Sequence, residues 1–172
     1  SFEIRECFPL SSAHPNYARL TGKAGEGIRN LGFCKEGLSV HGGQTFRFSC
    51  YARNASPMRL CIRLKNKEGE IFCEKTFPLV RAGHGWSKYN LTLTSTGDCK
   101  YVYPEITLAG EGTLDLDLIS LFPTDTFKGR QNGLRKDLAE MLAALHPKFM
   151  RFPGGCIVEG RSFENMYNWK DT

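Results

Sequence analysis

Thr113-Leu114-Asp115-Leu116-Asp117-Leu118-Ile119-Ser120-Leu121-Phe122 is the stretch that decides the fold. Leu114, Leu116, Leu118 and Ser120 fall on one face, and Asp115, Asp117, Ile119 and Leu121 on the other. That period belongs to a β-strand with one side in a core. The two aspartates are therefore expected on a solvated outer face. A calcium site between them is not expected, because calcium ligands converge from a loop rather than from a regular strand.

Upstream, the same alternation recurs. Gln44 to Arg53 places Phe46, Phe48, Cys50 and Ala52 on one side, and Met58 to Lys65 places Met58, Leu60, Ile62 and Leu64 inward. Gly37 to His41, Ile71 to Thr76, Trp86 to Thr94 and Lys100 to Ala109 are further strand-like runs, separated by Gly-rich or Pro-containing breaks. Short alternating runs about every 8 to 12 residues predict an antiparallel sandwich. Seven or eight strands are read, closest to a jelly roll of the galactose-binding-like kind. Residues 2–29 carry few periods beyond an extended segment at Tyr17 to Leu20.

Downstream of Pro123 the pattern changes. Leu134, Leu138, Met141, Leu142 and Leu145 recur at helical spacing, and His146-Pro147 ends the predicted helix because proline disfavours a helical residue before it. Lys148-Phe149-Met150-Arg151-Phe152 then reads as a short buried strand, followed by Pro153 and a Gly154-Gly155 turn. Helix, loop, strand and glycine turn make one α/β unit. The reading is mainly β: a sandwich over residues 1–123, then over 124–172 one helix-strand unit of a (β/α)8 barrel. The apolar stripe of that helix expects neighbours. It should pack on the sandwich or on another copy, or else residues beyond about Gly129 should be mobile.

The chain has 172 residues, 41% hydrophobic and 24% charged, which is globular composition. The net charge of +5 comes from scattered Lys and Arg without a basic block, so a solvated face is expected rather than a nucleic-acid site. No apolar run reaches membrane-spanning length and no signal peptide is read, so no membrane partner is expected. The compartment stays open between periplasmic or secreted and cytoplasmic. Seven cysteines without CxxC spacing argue against zinc, and free thiols are expected. The abrupt start at Ser1 and stop at Thr172 read as a piece of something longer.

Several segments in order resemble retaining α-L-arabinofuranosidases of glycoside hydrolase family fifty-one. They are Leu116 to Pro123, Asp125-Thr126-Phe127-Lys128-Gly129-Arg130, Asn132 to Leu138, and Arg151-Phe152-Pro153-Gly154-Gly155-Cys156. The form resembled carries a carbohydrate-binding-module-like sandwich inserted early in its barrel. Ser1-Phe2-Glu3 is similar to the point where the family leaves its first barrel strand, and Gly32 to Arg53 to the start of the insert.

The resemblance implies a cofactor-free, metal-free hydrolase that removes terminal arabinofuranosyl groups of arabinan or arabinoxylan with two glutamates about 5 to 5.5 Å apart. Both glutamates would lie beyond Thr172, so the chain by itself is expected to be inactive. Arg151 would orient the nucleophile, since a guanidinium can grip a carboxylate with two hydrogen bonds. Gly154 and Gly155 would let the backbone approach the sugar. Cys156 stands where many relatives carry an asparagine that hydrogen-bonds the sugar, and a thiol is a poor replacement. Trp169 would lie near the substrate, and Glu159 reads as a surface or supporting residue.

On the sandwich, Tyr51, Trp86, Tyr101 and Tyr103 are the aromatics that could face out and stack on sugar rings. The implied partners are an arabinose-containing polysaccharide or oligosaccharide and the rest of the barrel, and association into a homo-oligomer is left open. Two alternatives stand beside this reading: a non-catalytic carbohydrate-binding module, and a structural spacer.

Overall fold

Ten strands and a short C-terminal helical region make up the computed structural model, which describes residues 1–80, 83, 85–151 and 155–168, with the backbone alone at 156 and 157. The strands are β1 (Phe2–Arg5), β2 (Tyr17–Gly22), β3 (Gly27–Arg29), β4 (Leu38–Val40), β5 (Thr45–Asn54), β6 (Met58–Lys65), β7 (Ile71–Leu79), β8 (Ser87–Thr94), β9 (Cys99–Leu108) and β10 (Gly112–Pro123). One sheet runs β1-β2-β10-β5-β8, and the other β3-β9-β6-β7 with β4 also on β9. Every pairing is antiparallel. The two sheets form a sandwich.

The core lies between the sheets and is built by alternation of inward and outward residues along each strand. Phe46, Phe48, Cys50 and Ala52 of β5 face Leu60, Ile62 and Leu64 of β6, with Ile106 and Leu108 of β9 and Leu114 and Leu116 of β10. Removing each such large side chain from water contributes roughly 1.5 to 3 kcal/mol. β1 and β3, of four and three residues, are too short to show a period and were not expected from the sequence.

Two expectations fail on β10. Leu118, placed inward by its parity, is 59% exposed. The register slips between Asp117 and Ser120, and Leu118 takes a left-handed φ of 44° with its N–H bonded to Asp117 Oδ1. A β-bulge adds a residue to one strand and reverses the facing of the residues beyond it, so Leu121 rather than Leu118 packs on the core. Asp115 does lie on the outer face, but it is 4% exposed rather than solvated. The segment before β2, held by Arg53, folds over that part of the sheet.

The second sheet is covered too. Tyr103 faces outward from β9 yet is 2% exposed, with its hydroxyl donating to Lys35 O at 3.3 Å. The segment over it turns at Gly37, where φ is 69° and a Cβ would lie 2.4 Å from Val102 O, so only glycine fits.

Cysteine environments follow the sandwich. Among the described residues the six cysteines are free. Cys50, Cys61 and Cys73 are buried, and burial pushes the Cys50 thiol up to about 12. Cys7 and Cys34 are exposed. At pH 8 a disulfide reagent should modify Cys7 and Cys34 quickly and leave Cys50, Cys61 and Cys73 intact until denaturant is added, because the reagent must reach the sulfur and burial also raises the Cys50 and Cys73 thiols. Peptide mapping of the labelled protein checks this, and early labelling of Cys50 would contradict the packing.

After β10 the chain makes a short 3-10 turn at Phe127–Gly129 and then α1 (Lys136–Ala144). The sequence suggested a start at Leu134. Thr126 bridges Arg135 and Phe127 N–H donates to Leu134 O, which holds 134–135 extended and delays the helix. Its end is as expected: His146 adopts φ 47° before Pro147. The apolar stripe is not packed on the sandwich. Leu134, Leu138, Met141, Leu142 and Leu145 are 50 to 75% exposed, and only Ala139 of the helix is buried.

The predicted strand at Lys148–Phe152 is absent over its described residues 148–151, and Phe152 lies outside them. A strand buried in a parallel sheet needs neighbours on both sides to take its N–H and C=O groups. None of the described strands pairs with this stretch, and Phe149 and Met150 are 86% and 79% exposed.

Candidate functional site

Two regions carry the candidate residues. The first is the segment after α1. Arg151 Nη2 lies 3.9 Å from Glu159 Oε1, and both side chains are largely exposed. At that distance and exposure the ion pair contributes little, and it leaves the guanidinium fork available for another carboxylate. Gly155 has φ 95° with open space where a Cβ would stand, and it leads into the single turn α2 (Cys156–Glu159). Tyr167 N–H donates to Val158 O, and Asn165 Oδ1 accepts from Arg161 and Ser162, folding the following loop back on the turn. Gly154 and Trp169 lie outside the described residues, as does the side chain of Cys156.

The second region is the outer face of the β1-containing sheet. Arg19 on β2 and Arg53 on β5 flank Asp115 on the strand between them, in register with it on both sides. Arg19 donates through Nε to Oδ1 at 2.6 Å and through Nη2 to Oδ2 at 3.0 Å. Arg53 donates to Oδ2 through Nε at 3.0 Å and Nη2 at 2.8 Å. Burial pushes the Asp115 carboxyl up, but the hydrogen bonds from Arg19 and Arg53 outweigh it and hold its pKa below the ordinary carboxylate value. The same contacts with Asp115 raise the Arg19 pKa.

This triad also anchors the segment between β1 and β2. Arg53 Nη1 donates to Phe8 O at 2.6 Å, Trp86 Nε1 to the same oxygen at 3.3 Å, and Tyr17 OH to Cys7 O at 2.9 Å. The Arg53 guanidinium lies 4.7 Å from the Trp86 ring centre and 5.0 Å from that of Tyr17, whose rings meet edge to face at 5.3 Å. Cationic and aromatic groups in this geometry attract one another.

The four sandwich aromatics proposed from sequence are thus not brought together. Tyr51 lies on the outer face of the first sheet with Lys88 Nζ 5.6 Å from its ring. Trp86 is on the same side, but Arg53 occupies one of its faces. Tyr101, 41% exposed, lies on the other sheet. Tyr103 is also on that sheet, and because it is buried it offers no face for a sugar, which corrects its candidacy. Sequence reading missed the Arg19–Asp115–Arg53 triad, whose members are 62 and 96 residues apart. The one local signal was an aspartate within a run of leucines.

Among the described residues no group of three or more His, Cys, Asp or Glu could hold a metal ion, and no helix is long and apolar enough to cross a membrane.

Residues 141–172 match the family described as the α-L-arabinofuranosidase 1 domain. The chain is 39% identical over 98% of its length to an extracellular exo-α-L-arabinofuranosidase of Streptomyces chartreusis, of which it covers 21%. It is 31% identical over 86% of its length to α-L-arabinofuranosidase 1 of Arabidopsis thaliana, covering 22% of that protein. A solved structure of an arabinose-bound family fifty-one α-L-arabinofuranosidase superposes with a TM-score of 0.83 at 28% identity, over 99% of this chain and 29% of that one. The chain spans about a fifth of the length of these curated relatives. Sandwich and C-terminal segment together align with one stretch of such proteins, and the chain is similar over nearly its whole length to part of the family fifty-one α-L-arabinofuranosidases.

Proposed function

We propose that this chain is the sandwich and adjoining wall segment of an enzyme that removes terminal arabinofuranosyl residues from arabinan or arabinoxylan. The reading rests on the superposition with the arabinose-bound structure over 99% of the chain. In it, residues 1–123 form the sandwich and 124–172 a portion of the catalytic barrel. Arg151 is a positioning residue for the nucleophilic carboxylate, and Gly154, Gly155, Cys156 and Trp169 border the sugar. The two catalytic glutamates are supplied by other parts of the protein, because a retaining glycosidase needs a carboxylate pair about 5 to 5.5 Å apart. Arg151 and Glu159 supply a cation and an acid at the surface, with no second acid placed beside Glu159 among the described contacts.

The test is hydrolysis of an aryl α-L-arabinofuranoside by this chain and by the full-length protein that contains it. The full-length protein should release arabinose with retention at the anomeric carbon, and the chain alone should be inactive. Failure of the full-length protein to act on any arabinofuranoside would refute the reading.

A further inference from the structure

A cleft of about 420 Å³ opens beside the Arg19–Asp115–Arg53 triad on the outer face of the first sheet. Its volume is within the range of roughly 300 to 1,000 Å³ of small-molecule sites. Phe8 stands on its wall with φ 56° and 78% exposure. A bulky residue in the left-handed region is strained, and such strain persists only where the surroundings fix it. Here the fixing is explicit: Arg53, Trp86 and Tyr17 hold the carbonyls of Cys7 and Phe8. The arrangement presents an aromatic ring to solvent from a rigid backbone.

The polar lining is also unbalanced. Both Asp115 oxygens already accept from the arginines, so the charge of that carboxylate is matched within the triad. Arg19 keeps Nη1 without a hydrogen-bond partner among the described residues, and Arg5 lines the same cleft, tied only to exposed Glu3 at 3.2 Å. Among the described residues, three guanidinium groups thus meet two carboxylates.

We propose that this cleft binds an acidic sugar unit of a polysaccharide, with the ring face on Phe8 and the carboxylate toward Arg19 and Arg5. A flat apolar C–H face suits the exposed ring, and a carboxylate suits a donor-rich wall. The site is separate from the Arg151 segment and does not depend on hydrolysis.

Isothermal titration of the protein with a glucuronic-acid-bearing xylo-oligosaccharide, its carboxyl-reduced counterpart and a neutral arabino-oligosaccharide tests it. The acidic ligand should bind at least about tenfold more tightly than either neutral one, and added salt should weaken it. Phe8→Ala and Arg5→Gln, both at exposed positions, should each weaken binding about tenfold without lowering the urea midpoint. Equal affinity for the carboxyl-reduced sugar, no binding at all, or full binding by Phe8→Ala would each overturn the proposal. Because the readout is binding, its failure is distinct from failure of the arabinofuranosidase reading.

Discussion

Replacing Asp115 by Asn should cost about 3 to 5 kcal/mol of folding stability, far more than a surface ion pair, because it leaves two guanidinium groups without their counter-charge. The Asp115 and Arg53 side chains are 6% and 11% exposed, and that of Arg19 is 30%. For pairs exposed to water, loss of one partner costs only about 0 to 1 kcal/mol. The substitution preserves volume, so cavity formation contributes little and the charge is what is removed. Arg53 also holds the Phe8 carbonyl, so disorder should spread into the segment before β2.

The pH dependence gives a second readout of the same interaction. The folded pKa of Asp115 is lowered, so its contribution is fully present above the ordinary value of 3.8 and is lost as pH falls through the depressed folded value. Wild-type stability should therefore fall on the acid side, and the Asp115→Asn variant should show a shallower fall there. Urea denaturation at pH 7 and across the acid range measures both. A loss under about 1 kcal/mol at pH 7 would mean that the triad is an ordinary surface contact.

That triad also marks what sequence can and cannot disclose in this chain. Alternation reads which way a side chain points, and it placed Leu114, Leu116, Phe46, Phe48, Ile62 and Leu64 in the core where the structure has them. It cannot read what lies over the outer face. Asp115 and Tyr103 both point outward by parity and both are buried, because aperiodic segments, one before β2 and one around Gly37, fold over them. Nor can it see a register slip. The run through Leu118 looks unbroken, and only pairing with β5 shows that the strand loses its phase after Asp117.

The C-terminal part differs in kind. Its helix was legible from spacing, while its strand depends on neighbours with which none of the described strands provides pairing. The roles proposed for Arg151 and the residues after it rest on resemblance rather than on any local pattern.

In the full-length protein, Arg151→Lys should lower kcat/KM by about a hundredfold, a loss of roughly 2.7 kcal/mol in transition-state stabilisation. The guanidinium is exposed, and its ion-pair partner Glu159 lies 3.9 Å away with both side chains open to water. Such a pair neither orients nor occupies the fork. A nucleophilic carboxylate set against it would gain two parallel hydrogen bonds and a lowered pKa, and lysine, a single point charge, would reproduce the charge without the geometry. The loss should therefore fall mainly on kcat. The acidic limb of the kcat/KM profile should move to higher pH as the carboxylate loses its partner. Glu159→Gln is the control. If Arg151 worked only by tethering the α2 turn, that variant would reproduce the defect, and the acidic limb would stay in place in both.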